Sequence, residues 1–365
     1  MNSKRFRCLT ICISLFLLIV ISGCGREKPE PPTITLQAQK PVTEPEPARP
    51  EAEIAEEVQQ TESIAPQERA EPDESGANLA LQFTTGDVTT YHVAITDTQE
   101  VKWEGSVPDN SKFKDGKNYN KVEMKFRQEI IDVNANGDAL ASITIEGLKY
   151  QSIVRDETII NYDSTNPRSI KVLNYLIGRS YTIKIHPNGN VDVVDTSKML
   201  TGLRKSPLSV ELGKDLMKQD NIQRRHGLLI LPDADQNPIR NEEQWSQTNT
   251  YSFGLMGTSV YEREYTLKDI EEQDGVRVAL VLMEGIPSAE IENPSRAVGM
   301  AQMFDTQEKY AGQLKFDLDN GNVEEYVERL NVQWVAIMPA NNQDKKPPPV
   351  LKMIADRSYY LKKID

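Results

Sequence analysis

The side chains best suited to chemistry are few in this sequence, and most stand at turns. Asp132-Val133-Asn134-Ala135-Asn136-Gly137-Asp138 places oxygen-bearing side chains at alternate positions and a glycine at the sixth. Asp132, Asn134, Asn136 and Asp138 are therefore candidate ligands for a hard cation such as calcium. The twelfth position is Ile143, which offers no carboxylate, and the same Asn, Gly and Asp residues are what a hairpin turn requires, so the turn reading ranks first. His92, His186 and His226 are the only histidines, and none is spaced to pair on a metal. The acidic pairs Glu242-Glu243, Glu271-Glu272 and Glu324-Glu325 point to opposite faces if they lie on strands, and so read as solvated surface. No Gly-x-Ser-x-Gly, phosphate-binding loop or His-Glu-x-x-His stretch occurs. No catalytic residue and no cofactor is assigned, and the chain is not expected to be an enzyme.

The elements that must position these residues are strands. From Glu123 to Gly147, Met124, Phe126 and Ile130 alternate with polar neighbours, and Ala139, Ala141, Ile143 and Ile145 do the same on the return. A period of two with Asn134 to Asp138 between the runs predicts a long hairpin. Similar signals predict a first hairpin from Leu79–Phe83 and Val88–Ile95, a long loop over Trp103–Asn120, and a strand pair at Lys149–Val154 and Thr158–Tyr162. Tyr181–Ile185 and Val191–Val193, around Pro187-Asn188-Gly189-Asn190, give the clearest hairpin in the chain. Helices are expected from Asn166-Pro167 to Gly178 and from Ser206-Pro207 to about Asp220, and Leu228–Leu231 reads as a short strand.

A second lobe, 236–365, follows a first at 77–235 and repeats its order. Tyr261–Gly285 matches 123–147 in its turn glycine and closing Glu-Gly pair, Asn293-Pro294 opens another expected helix to about Phe304, and Asn320-Gly321-Asn322-Val323 echoes 188–191. The offsets drift and the apolar phase of the two long hairpins is inverted, so duplication competes with generic meander similarity. Tyr326, Leu330, Val332 and Trp334 continue a long strand, and Val350–Leu361 offers a last one, able to pair with an early strand and close the sheet. Trp103, Trp245, Trp334 and the thirteen tyrosines fit either a core or the lining of an apolar cavity.

The first 24 residues carry the sharpest signal. Lys4, Arg5 and Arg7 precede an apolar run from Cys8 to Ile21, short for a bilayer span and shaped like an export signal, with an uncleaved transmembrane anchor of the same orientation as the alternative. Ile21-Ser22-Gly23-Cys24 resembles the lipobox of bacterial lipoproteins at every position. That resemblance implies a signal peptide at 1–23, cleavage before Cys24, and a diacylglycerol thioether and an acylated amino group on Cys24. Two or three acyl chains give stable anchoring. Cys8 and Cys12 would leave with the signal, so no disulfide is available to the folded part. Residues 24–76 hold the lipidated cysteine and nine prolines among thirteen acidic and five basic side chains. This composition predicts a disordered linker, reaching roughly 40 Å as a coil and on the order of 150 Å extended.

The net charge of −13 and the absence of basic runs interleaved with aromatics argue against nucleic acid as a partner. The globular region is similar, over residues 79 to 335, to bacterial lipoprotein families of unknown function built on arrays of Asn-Gly or Asp-Gly hairpins. The expected fold is mainly β: curved antiparallel sheets, half-barrel or barrel-like, with a few short helices. This arrangement is similar to the lipoprotein-carrier fold, whose apolar cavity holds acyl chains, at the level of fold alone. Two functions follow for an exported protein tethered to the cell envelope: a non-catalytic interaction or scaffold module, ranked first, and a periplasmic carrier for an apolar ligand or protein client. A cavity of several hundred Å3 would favour the second.

Overall fold

The computed structural model describes residues 76–105, 107, 111, 113–201, 207–288, 304–338 and 347–364. The expected signal, Cys24, the expected linker up to residue 75 and the expected helix after Asn293-Pro294 lie outside them, apart from Phe304 at that helix's end.

Alternating apolar residues separated by turn residues produce twelve strands. They are β1 (Val88–Glu104), β2 (Gly116–Val133), β3 (Ala139–Val154), β4 (Glu157–Asp163), β5 (Ser180–Ile185), β6 (Val191–Asp195), β7 (Gln244–Ser252), β8 (Thr258–Gln273), β9 (Val276–Pro287), β10 (Asp305–Asp317), β11 (Asn322–Ile337) and β12 (Val350–Lys363). All pairing is antiparallel, in the order β6-β5-β3-β2-β1-β12-β11-β10-β9-β8-β7, with β4 added to the far end of β3. The result is one curved, open sheet. β12 pairs with β1 over Tyr91–Glu104, in the middle of the sheet, so the two expected lobes share a single ladder. The last strand thus meets the first, and the sheet remains unclosed between β6 and β7.

Three short helices, α1 (Ser197–Leu200), α2 (Pro207–Leu216) and α3 (Gln219–His226), follow β6. The Gln223 side chain of α3 donates to the Val191 carbonyl of edge strand β6 (2.9 Å), and Leu228 N–H donates to Gly189 (2.9 Å). Just beyond, the Trp245 indole and the Gln247 amide of β7 donate to the carbonyls of Ile230 (3.0 Å) and Leu231 (3.1 Å). The chain from α3 to Leu231 therefore bridges the two sheet edges and pairs a carbonyl of edge strand β6. One core of inward-facing side chains spans all strands except the ends, including Met124, Phe126, Ile143, Tyr181, Leu314 and Leu361.

Several expectations are corrected. Leu79–Phe83 is not a strand: Leu79 and Leu81 are buried, but their N–H groups bond Asn237 Oδ1 and the Pro187 carbonyl, so their alternation reflects burial without a ladder. The expected loop at Trp103–Asn120 shrinks from both ends, because β1 pairs with β12 out to Glu104 and β2 begins at Gly116. Lys149–Val154 is no separate strand but the end of β3, which runs on past Gly147 with a bulge against Lys125 and Phe126. The helix expected at Asn166–Gly178 is a set of turns with a single 3-10 turn at Asn174–Leu176; Asn166 Oδ1 accepts from Arg168 N–H, a local competitor of helix formation. The helix expected over Ser206–Asp220 splits in two. Asn221 Nδ2 bonds the Asp215 carbonyl at 2.6 Å, Lys218 turns to ψ 144°, and α3 begins afresh at Gln219. Leu228–Leu231 is a turn whose apolar side chains are buried at three of four positions.

Candidate functional site

The inward face is apolar by parity, and its polar exceptions define the site. β1 runs Tyr91, Val93, Ile95 and then Asp97; β12 runs Leu351, Ala355, then Arg357, then Tyr359 and Leu361. β11 runs Tyr326, then Glu328, then Leu330, Val332 and Trp334; β8 runs Tyr261, then Arg263, then Tyr265 and Leu267. Arg357, Glu328 and Arg263 thus hold positions whose strand neighbours two residues away are core, and Asp97 follows the last core residue of its strand, Ile95. Antiparallel pairing sets Asp97 opposite Arg357 and Tyr359 opposite Glu328. The four charges form a belt across the concave face.

Two networks make up this belt. In the first, Arg224 of α3 reaches Asp97 with both terminal nitrogens (2.9 and 3.0 Å), a bidentate pair that ties the helix to the centre of the sheet. Arg357 Nε stands 3.5 Å from the same carboxylate, its Nη2 donates to the Ser252 carbonyl (2.8 Å), and its guanidinium lies 5.1 Å from the Tyr251 ring centre. In the second, Glu328 accepts three tyrosine hydroxyls: Tyr251 at 3.1 Å, Tyr310 on the same oxygen, and Tyr326 on the other. Burial, followed by the Glu328 charge, pushes the Tyr251 hydroxyl up to about 12 and holds Tyr310 and Tyr326 well above the ordinary tyrosine range. All three hydroxyls therefore remain protonated donors at neutral pH. Arg263 is only 2% exposed; its Nη1 is 3.9 Å from Glu328, beyond hydrogen-bond reach, and its Nε has no partner among the described residues.

Between α3 and this face lies a cavity of about 630 Å3. Arg224, Arg263, Arg357 and Glu328 reach it together with Tyr251, Tyr326, Tyr359, Val191, Leu229 and Leu330. A second cavity, about 480 Å3, opens where residues 81–84 cross the ends of β1, β2 and β11, and has His226 in its wall. His226 is buried, shares a 2.6 Å hydrogen bond with the Tyr181 hydroxyl, and packs edge-on to Phe126. Burial first, and the adjacent Arg225 charge second, hold its imidazole well below the ordinary histidine range, so it is neutral.

The residues singled out in sequence are scattered by comparison. Asp132 lies near the end of β2, paired with Leu140, while Asn134, Asn136 and Asp138 form the β2–β3 turn, where Asn134 Oδ1 accepts the Asn136 and Asp138 N–H groups. Asp138 is engaged by Asn134 Nδ2 (3.0 Å) and His186 Nδ1 (2.8 Å), with Lys184 Nζ at 3.8 Å, so cationic and donor groups already occupy its oxygens. Among the described residues no group of three or more His, Cys, Asp or Glu could hold a metal ion. His92 packs against Tyr360, and Glu242 and Glu324 pair with Lys268 and Lys363. Trp245 and Trp334 are buried, while Tyr251, Tyr326 and Tyr359 line the larger cavity. The sequence reading missed Glu328, Arg263, Asp97 and Arg357, whose common signal is a charge at a core-parity position.

No family model matches the chain, and no curated protein does. Among solved structures it is similar to lipovitellin, in a structure titled for its lipid-protein interactions, at 12% identity and a TM-score of 0.35; the match covers 78% of this chain and 26% of that one. It is also similar to two Pseudomonas aeruginosa proteins. These are OpdL (9% identity, TM-score 0.17, 76% and 99% of the two chains) and the outer membrane protein OprG (8%, 0.12, 77% and 97%). At these scores none of the three carries an argument about fold or function. Among the described residues no helix is long and apolar enough to cross a membrane.

Proposed function

We propose that the chain is a lipid-anchored protein of the cell envelope that binds an apolar or amphiphilic ligand between its concave sheet and α3, without catalysing a reaction on it. The cavity of about 630 Å3 carries this reading, because its volume lies within the roughly 300 to 1,000 Å3 of small-molecule sites and its wall sets the apolar Val191, Leu229 and Leu330 beside convergent arginines and tyrosines. A scaffold acting only through its edges would have its concave side filled. The lipobox at Ile21–Cys24 and the Pro/Glu-rich linker support export and tethering, with Cys24 as the anchor and the folded part held away from the bilayer. Bacterial lipoproteins of the outer membrane or periplasmic face are the class this fits.

The test is native mass spectrometry of the full chain, purified from bacterial membranes and released from non-ionic detergent, followed by organic extraction. A stoichiometric extractable ligand is expected. A bare protein mass that does not shift on adding fatty acids or phospholipids overturns the reading and leaves interaction through protein surfaces.

A further inference from the structure

Hydrogen-bonding capacity in the larger cavity is unevenly matched. Glu328 is largely used, since three hydroxyls take three of its roughly four acceptor positions. Asp97 is likewise used, by both terminal nitrogens of Arg224 and by Arg357 Nε at 3.5 Å. The donors are not used up. Arg263, in the cavity wall, is all but fully buried, yet its Nε bonds nothing and its nearest carboxylate stands 3.9 Å away. A guanidinium offers five N–H donors and no acceptor, and leaving such a group dry and unpaired is costly. Arg224, Arg263 and Arg357 enter this wall against Glu328 and Asp220, with Asp97 already paired to Arg224, so the formal charges balance and what the wall lacks is an acceptor at Arg263. Beside the arginines the wall turns apolar, with Val191, Leu229 and Leu330.

We infer that the ligand is an acidic amphiphile: an oxyanion head seated against the guanidinium groups of Arg263 and Arg357, with an acyl chain along Val191, Leu229 and Leu330. This rests on the binding reading above and adds the chemistry of the head group. The oxyanion supplies the acceptor that Arg263 lacks. Tyr251 and Glu328 act as positioning residues, because the Tyr251 ring supports Arg357 from one side and its hydroxyl anchors on Glu328.

The experiment uses the full chain in phospholipid nanodiscs, with empty discs as the reference, and two probes of one chain length: [1-13C]dodecanoate and dodecan-1-ol. Dodecanoate is expected to bind about ten- to a hundredfold more tightly than the alcohol, as one charge-assisted contact predicts. Its bound carboxyl resonance should titrate at lower pH than free dodecanoate, since neighbouring guanidinium groups favour the ionised form. In Arg263→Met the preference over the alcohol should shrink and the titration move back up, with Arg263→Lys recovering part of both. Dodecyl phosphate displacing dodecanoate would also support an acidic head and assign it to phosphate. Equal binding of acid and alcohol by the unaltered chain overturns the head-group inference while leaving the binding reading intact, and needs no variant to fold. Binding of neither probe, with no ligand extractable from the purified protein, overturns both.

Discussion

Gly285 on β9 lies directly beneath the ring of Tyr310 on β10: a Cβ at Gly285 would stand 2.6 Å from Tyr310 Cγ and 2.7 Å from its Cβ. Only a residue without a side chain allows the ring to lie flat enough to deliver its hydroxyl to Glu328. Gly285→Ala is therefore expected to cost about 1 to 3 kcal/mol, as overpacking does in a close-packed interior. Urea denaturation measures it. The same substitution in a Tyr310→Leu background should cost less, and an equal cost in both backgrounds would detach the glycine from the tyrosine.

The Glu328 carboxylate and the Arg263 guanidinium share a buried site, with 13% and 3% of their side chains exposed. Removing one member of such a pair leaves the other charge uncompensated, a loss of about 3 to 5 kcal/mol in comparable cases. Glu328→Gln keeps the shape and one acceptor, so its loss should fall near the lower end, and Arg263→Met should behave similarly. The double variant is expected to lose clearly less than the two single losses together. Strict additivity in a double-mutant cycle would show that the two groups do not act as a unit.

These two relationships also mark what the sequence could and could not reveal. Hairpins such as β2–β3 and β5–β6 are local: alternating side chains and an Asn-Gly turn determine them within some twenty residues. Helices were harder, because the break at Lys218 depends on the Asn221 side chain taking the Asp215 carbonyl, which no periodicity displays. The charges of the site were visible one strand at a time. Glu328 interrupts Tyr326, Leu330, Val332 and Trp334, and Arg263 sits between Tyr261 and Tyr265. Their meeting was not visible, since Asp97 reaches Arg357 only through the β1–β12 ladder, which joins opposite ends of the folded chain. An isolated charge in an apolar parity reads as surface until the strand that faces it is known.

His226 makes stability depend on acid in a defined direction. Its folded-state pKa lies well below the ordinary histidine value because it is buried and next to Arg225, so the unfolded chain takes up a proton that the folded one refuses. The contribution is complete above about pH 6.5 and is lost as pH falls, by about 1.4 kcal/mol per pH unit while the unfolded imidazole is protonated and the folded one is not. Unfolding free energies measured from pH 7.5 to 5 should decline along this slope, and His226→Gln should flatten it. An unchanged slope in the variant would mean that other groups set the acid dependence.

In the proposed reading, Cys24 sets where the protein resides. If the lipobox reading holds, the full chain takes up radiolabelled palmitate in a bacterial host and fractionates with membranes, because two or three acyl chains hold it stably. In Cys24→Ser the thiol that receives the diacylglycerol is gone, so label incorporation should fall to background and the signal should remain attached, detectable as a larger mass. The only other cysteines are Cys8 and Cys12, which makes label retained by the variant directly interpretable: it would place the acyl group on one of these or on a non-thiol site and overturn the assignment. The cavity reading is separable from this result. A variant freed of its lipid should still extract with ligand if the concave face of the sheet, rather than the anchor, is what holds it.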